Sequence, residues 1–216
     1  MSPPAGIDPR PLWLLVAVLA PLARSAARPY EYGTWFLEVF PILIGLPLIL
    51  ATARRFPLST LLLVLVALHA LVLMVGGHYT YARVPLGEWA RDWFGWQRNN
   101  YDKLGHFAQG FMPAILAREI LLRRSPLRRG GWLNFLVVAV CLAFSACFEI
   151  IEWLVSVALG GADNFLGTQG YVWDTQTDMA WAIVGAVSAL ALLSRLHDRS
   201  MARLPSGNGT SSGTFS

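Results

Sequence analysis

Three short stretches of this chain place carboxylates and other polar side chains inside an otherwise apolar sequence. The first, YDKLGHFAQGF at 101–111, holds a set of polar residues: Asp102, Lys103, His106 and Gln109. The other two, FEIIEW at 148–153 and YVWDTQTDM at 171–179, hold four carboxylates: Glu149, Glu152, Asp174 and Asp178. Helical residues three or four apart share a face, so each stretch would turn its ionisable pair to one side.

A metal site is one chemistry that these residue types support. The predicted ligands are one histidine and three carboxylates: His106, Glu149, Glu152 and Asp178. Carboxylate-rich sets of this kind occur in the cores of di-metal helix bundles. Only one histidine is well placed, so the oxygen-preferring Mg²⁺, Ca²⁺ or Mn²⁺ would suit the site better than Zn²⁺.

Acid–base catalysis is a second possibility for the same side chains. His106 would act as base beside Glu149 or Glu152, with Asp174 and Asp178 completing the catalytic set. Lys103 would bind an anionic headgroup, and the further predicted substrate-binding residues are Asp102, Gln109 and His78. This interpretation predicts a hydrolase or transferase that acts on lipid or envelope substrates.

Two alternative functions would use the same residues in other roles. In an ion- or proton-coupled transporter, the intramembrane glutamates would carry protons or cations. In a structural or accessory protein, Asp102 and Asp174 would cap helices, and the glutamates would pair with nearby bases such as Lys103 or Arg98. The sequence contains no P-loop, zinc-protease helix or nucleophilic serine motif that would decide between these alternatives.

The composition places this chemistry in a membrane. The 216 residues are 55% hydrophobic and 14% charged, and the charges lie between long apolar runs. This pattern excludes an ordinary soluble domain and predicts a lipid bilayer as the main partner. The net charge of +4 comes largely from arginines in short loops. We therefore read it as a topology signal and expect no nucleic-acid binding.

Six apolar segments are long enough, or nearly so, to cross a bilayer: 11–27, 34–51, 58–77, 104–122, 132–159 and 176–194. They predict an all-α, polytopic transmembrane bundle. Residues 1–10 would be a short cytoplasmic N-terminus, 11–195 a single transmembrane domain, and 196–216 a disordered cytoplasmic tail. The poor n-region before the first segment favours a retained helix over a cleaved signal peptide.

Orientation follows from the arginines. With the N-terminus inside, ten basic residues lie on the inner side and six on the outer side, which predicts that both termini are cytoplasmic. All three polar stretches then reach the outer boundary of the bilayer, at one depth. The outer loop 78–101 contains WARDWFGWQ, which predicts a short helix in the membrane interface.

The quoted strings also carry a resemblance. NNYDKLGHFAQGFMPAILAREILLRR, FEIIEW, FLGTQGYVWDTQTDM and HYTYARVP resemble the YjdF-like family of bacterial inner-membrane proteins across about residues 10–195. A looser similarity, to VanZ-like proteins, covers Asp102, Lys103, His106, Glu149, Asp174 and Asp178. The resemblance implies a small multi-pass protein of the bacterial inner membrane and names no reaction.

Overall fold

The computed structural model describes residues 10–160 and 168–204. In these ranges the chain forms seven α-helices and no strand. We number the helices in chain order: α1 Arg10–Ser25, α2 Tyr32–Thr52, α3 Thr60–Tyr79, α4 Pro85–Phe94, α5 Tyr101–Arg124, α6 Gly131–Leu159 and α7 Asp174–Met201. A 3-10 turn, Tyr81–Arg83, links α3 to α4. The all-α prediction is confirmed.

Six of these helices correspond to the six predicted segments, and α4 is the short helix predicted in the longest loop. Four are long and apolar enough to cross a membrane: α2, α3, α6 and α7. Helix α1 is apolar but shorter. It packs against α3 and buries Leu14 and Val18. Helix α5 is not among the four, because it carries more polar residues than they do.

The position of α5 explains this composition. It packs most extensively against α7 and also contacts α3 and α6, so other helices surround it. Its polar side chains Asp102, His106, Arg118 and Glu119 are all buried. Ionisable groups at membrane depth are tolerated where they face a bundle interior and find partners. The central helix can therefore be less apolar than the helices around it.

Small residues allow α5 and α7 to run side by side at very short range. A Cβ added to Gly110 would lie 1.8 Å from the carbonyl oxygen of Ala182, and one added to Gly185 would lie 2.1 Å from that of Phe107. Backbone contact through small residues is the usual way that membrane helices approach closely. The two helices are parallel in this contact, which brings their N-termini, and hence Asp102 and Asp174, to the same end of the bundle.

We call this end the acidic end, and the opposite end, where α5 and α7 finish, the basic end. The basic end exposes a group of arginines: Arg54, Arg55, Arg124, Arg128, Arg129, Arg195 and Arg199. Helix α7 continues to Met201, so residues 196–201, assigned by sequence to a disordered tail, are helical. The reason is that His197 is fully buried against α5. The predictions for residues 1–9 and 205–216 lie outside the described residues.

Candidate functional site

The imidazole of His106 is the centre of a cluster of carboxylates at the acidic end. Its Nε2 lies 3.3 Å from Asp102 Oδ1 on the same helix. It also lies 3.7 Å from Glu149 Oε1 on α6 and 3.8 Å from Asp178 Oδ2 on α7. All four side chains are buried. The predicted polar stretches therefore do meet, and three helices supply them.

The other ring nitrogen of His106 is held by Gln109. The distance from Nδ1 to Gln109 Oε1 is 3.0 Å. An amide oxygen can only accept a hydrogen bond, so Nδ1 carries the proton. In the neutral ring, Nε2 then presents its lone pair to the carboxylates. This is the arrangement of metal-binding histidines, whose second nitrogen donates to an oxygen that fixes the tautomer and the ring.

Two cations neutralise one side of the cluster. Lys103 Nζ lies 2.9 Å from Asp174 Oδ1 and 2.5 Å from Asp178 Oδ1. Arg98 Nη2 lies 2.6 Å from the same Asp174 oxygen, and its Nη1 donates to the carbonyl of Thr168 at 2.9 Å. One oxygen of Asp174 therefore accepts hydrogen bonds from both Lys103 and Arg98. Lys103, predicted from sequence to bind a headgroup, directs its ammonium to two aspartates of α7.

At the acidic end, two carboxylate oxygens have no hydrogen-bond partner among the described residues. They are Asp102 Oδ2 and Glu149 Oε1, and both atoms are buried. The bases nearest to Asp102 Oδ2, Lys103 and Arg98, stay 3.7 and 3.8 Å away, too far for a hydrogen bond. A buried, unpaired anionic oxygen is costly. A positively charged ligand beside His106 would compensate both oxygens.

The donor atoms also have the spacing that a metal ion needs. One ligand atom each from Asp102, His106 and Asp178 lies within 4.8 Å of the others. Ligands about 2.0–2.5 Å from a shared ion must lie within such a distance of each other. Glu149 stands beside this trio through its contact with His106. The sequence-predicted ligand set omitted Asp102, which the geometry adds.

Two further glutamates extend the cluster into the bundle. Glu152 is buried and interacts electrostatically with Glu149, Glu38 and Asp102. Glu38, on α2, is buried and hydrogen bonds with the Tyr81 hydroxyl. Burial, with Glu38 nearby, raises the pKa of the Tyr81 phenol well above its usual value, so the phenol is a permanent hydrogen-bond donor.

The structure adds three residues to the predicted cluster and places one predicted residue apart from it. The added residues are Arg98, Glu38 and Tyr81. The sequence predicts Arg98 only as a pairing base and places Glu38 only at the same depth, and Tyr81 lies in the string HYTYARVP. His78 lies elsewhere, since its Nδ1 hydrogen bonds with the carbonyl of Ser25 at 2.8 Å in the contact between α1 and α3. Its predicted role in substrate binding stays a prediction.

The basic end holds a second buried cluster that the sequence analysis did not foresee. Glu119 and His197 are fully buried, and His197 Nε2 lies 2.9 Å from Glu119 Oε2. Arg118 Nη1 lies 2.9 Å from His197 Nδ1 and 2.8 Å from Asp198 Oδ1. Arg123 and the backbone N–H of Ser59 donate to Glu119 Oε1 at 2.7 and 3.0 Å. Each of these side chains has at least one partner, which is typical of a structural network, although Arg118 Nε is buried without a hydrogen bond among the described residues.

Comparison with known proteins identifies the family of the chain. The model of the family described as "Predicted membrane protein (DUF2238)" matches residues 10–199. The chain belongs to this family. It is also 54% identical over 183 residues to the inner membrane protein YjdF of Escherichia coli (strain K12), covering 84% of this chain and 88% of that protein. No solved structure matches.

These findings confirm the YjdF-like resemblance and the multi-pass membrane character. The family match covers every described helix except the last two residues of α7, and it includes all residues of the acidic end. The looser similarity to VanZ-like proteins stays a prediction. Neither match names a ligand or a reaction, so the chemistry has to be argued from the site.

Proposed function

We propose that the protein binds a divalent cation at the acidic end and uses it in hydrolysis or group transfer on lipid or envelope substrates. The observation that carries the proposal is the surroundings of His106. Its Nε2 atom lies within 3.8 Å of an oxygen from each of three carboxylates. Negatively charged carboxylates this close together repel one another unless a positive charge lies between them.

A cation fits this position better than a single proton. A proton on Nε2 would bind one oxygen well, and Asp102 Oδ1 is the nearest at 3.3 Å. It would leave both unpaired oxygens, Asp102 Oδ2 and Glu149 Oε1, without a partner. A divalent ion accepts several oxygen ligands together with an imidazole nitrogen. Lys103 and Arg98 would neutralise the remaining negative charge of Asp174 and Asp178.

The chemistry proposed for the bound ion is that of a Lewis acid. It would polarise a phosphoryl or carbonyl oxygen and lower the pKa of a bound water. The residues of the chain supply the rest: Gln109 orients His106, and Glu149 and Glu152 lie close by as acid–base groups. Asp102 then acts as a ligand more than as the substrate-binding residue predicted from sequence.

With both termini in the cytoplasm, this site would lie outside the cytoplasm. The relative YjdF is an inner membrane protein. We expect this protein to reside in the same membrane, with six spans and both termini cytoplasmic. The exposed arginines of the basic end would then lie on the cytoplasmic side, as the positive-inside rule requires. Substrates would reach the acidic end from the outer leaflet or the periplasm.

The first test is metal content. Detergent-purified wild type is compared with His106→Ala, Asp178→Asn and Asp92→Asn by elemental analysis after exposure to Mg²⁺, Ca²⁺ or Mn²⁺. Asp92 is an exposed carboxylate on α4 and serves as the matched control. We expect about one ion per chain in wild type and in Asp92→Asn, and loss in the other two. Folded wild type without any retained ion would refute the cation site.

A proton- or ion-coupled transporter is the second candidate, favoured by one observation. Glu38 and Glu152 extend the carboxylates beyond the trio of ligands, as a relay into the bundle would. Uptake into proteoliposomes that depends on a pH gradient, and fails in Glu152→Gln, would favour transport. A protein without metal or uptake, whose variants simply unfold, would be a structural or accessory membrane protein.

A further inference from the structure

Helix α4 exposes an apolar surface that the bundle does not cover. Five side chains form what we call the α4 aromatic surface: Leu86, Trp89, Trp93, Phe94 and Trp96. Trp93 is 71% exposed, the most of the five. Trp89 and Trp93 contact each other one turn apart, and Phe94 stacks on Trp96. A group of exposed apolar side chains this large on one short helix indicates a binding surface.

The opposite side of α4 is fastened to the body of the protein, so the helix cannot roll over to bury these rings. A Cβ on Gly87 would lie 1.8 Å from Asn99 Oδ1, which leaves space for glycine alone. Asn99 Nδ2 donates to Glu88 Oε1 at 2.9 Å and to the carbonyl of Val84 at 3.0 Å. Arg91 pairs with Glu88 at 2.6 Å, which completes a polar face beside the aromatic one.

The place of α4 in the fold indicates what covers the aromatic surface. The helix lies between the end of α3 and the start of α5, at the acidic end, where membrane-crossing helices leave the bilayer. Other exposed aromatic rings mark the same end: Tyr32, Tyr79 and Trp173, each at the end of an apolar helix. Tryptophan and tyrosine concentrate at the level of the lipid headgroups, where the ring is apolar and its N–H or O–H is hydrated.

We propose that the α4 aromatic surface lies in the headgroup region of the outer leaflet and anchors the acidic end to the lipid. The outer polar residues of the helix, Arg91 and Asp92, then point to water, as in an interfacial amphipathic helix. A consequence concerns the site. Asn99 joins α4 to Gln169 through two hydrogen bonds, 3.1 and 2.8 Å long. The neighbouring Arg98 binds Asp174. Lipid anchoring of α4 thus fixes the height of the acidic cluster.

Spin labels on adjacent residues test the proposal. The two cysteines, Cys141 and Cys147, are both free and are replaced by alanine and serine. Single cysteines are then introduced by Trp93→Cys, by Leu86→Cys on the same face, and by Asp92→Cys on the polar face. The labelled protein is reconstituted into vesicles of phosphatidylethanolamine and phosphatidylglycerol. Collision rates are measured with oxygen, which partitions into lipid, and with a water-soluble nickel chelate.

The expected result is a several-fold excess of oxygen over nickel collisions at positions 86 and 93, and the reverse at position 92. Leu86→Cys keeps the test valid if Trp93→Cys disturbs folding. Equal nickel access at 86, 92 and 93 would show that the helix stands in water and would overturn the proposal. Exclusion of both reagents at 86 and 93, with spin–spin broadening between chains, would also overturn it, because a second copy would then cover the surface.

Discussion

His106 and Asp102 stand one helical turn apart on α5, with imidazole Nε2 3.3 Å from carboxylate Oδ1. The other ring nitrogen, Nδ1, carries a proton and donates a hydrogen bond to Gln109 Oε1. In the neutral ring, Nε2 and Asp102 Oδ1 are then two acceptors that face each other in a buried place, beside the carboxylates of Glu149 and Asp178. Helix capping alone does not explain this contact, and substitutions around it test the proposed site most directly.

Gln109→Leu should weaken cation binding without removing a ligand. Leucine fills a similar volume but cannot accept the Nδ1 proton, so the ring loses its fixed tautomer and orientation. Loss of such an outer partner lowers metal affinity by about 10–100-fold in known sites. Titration with Mn²⁺, followed by electron paramagnetic resonance, measures the change. Gln109→Glu, which still accepts the proton, should retain most of the affinity; equal affinity in wild type and Gln109→Leu would contradict the assignment.

Lys103→Met should destabilise the protein by about 2–4 kcal/mol, because it leaves Asp178 as a buried carboxylate without its closest base. Adding Asp178→Asn should recover part of the loss, since the uncompensated charge disappears. Thermal unfolding in detergent measures both steps. Arg91→Met, at an exposed pair on α4, is the control and should leave the melting temperature unchanged. A double variant less stable than Lys103→Met would show that charge balance is not what Lys103 provides.

Some of the fold and of the site follows from the sequence, and the missing parts have physical reasons. Apolar length predicted the spans, and the one-sided spacing of Asp102/His106 and Asp174/Asp178 predicted two faces of the cluster. Periodicity says nothing about which helices are neighbours. The contact of α5 with α7 depends on Gly110 and Gly185, whose missing side chains leave no pattern in an apolar run.

The missed residues illustrate a second limit. Tyr81 belongs to the site because its ring fits against Gly76 and Gly105, where an added Cβ would lie 2.4 and 2.6 Å from the ring. Arg98 belongs to it because the turn before α5 folds back onto Thr168 and Asp174. Both depend on backbone proximity between distant segments. A tyrosine or arginine in a loop carries no spacing rule that could reveal such contacts.

Gly110→Ala should destabilise the bundle and damage the site at a distance. The new methyl group would meet the carbonyl of Ala182 and push α5 away from α7, at a cost of about 1–3 kcal/mol. The contacts that join these helices, Lys103 with Asp174 and Asp178, should weaken with the movement. Thermal unfolding and cation content measure the two effects. Gly45→Ala, which meets nothing within 4 Å, is the matched control and should change neither.

Glu119→Gln should destabilise the basic end although the two side chains have the same shape. Glu119 only accepts hydrogen bonds: Oε1 from Arg123 and Ser59, and Oε2 from His197. Arg118 can only donate to His197 Nδ1, so Nε2 carries the proton that Glu119 receives. In either orientation, the glutamine NH₂ would face a donor, which leaves buried groups unpaired at a cost of about 1–3 kcal/mol.

The measurement for Glu119→Gln is thermal unfolding, with hydrogen exchange of the last turns of α5 and α7. Exchange should rise there while the N-terminal turns of both helices, which carry the acidic cluster, keep their protection and their cation. Arg195→Gln changes an exposed arginine on α7 and should have no effect on either. If Glu119→Gln removed the cation from the acidic end, the two clusters would be coupled along α5. The independence of the two ends that the structure indicates would then be wrong.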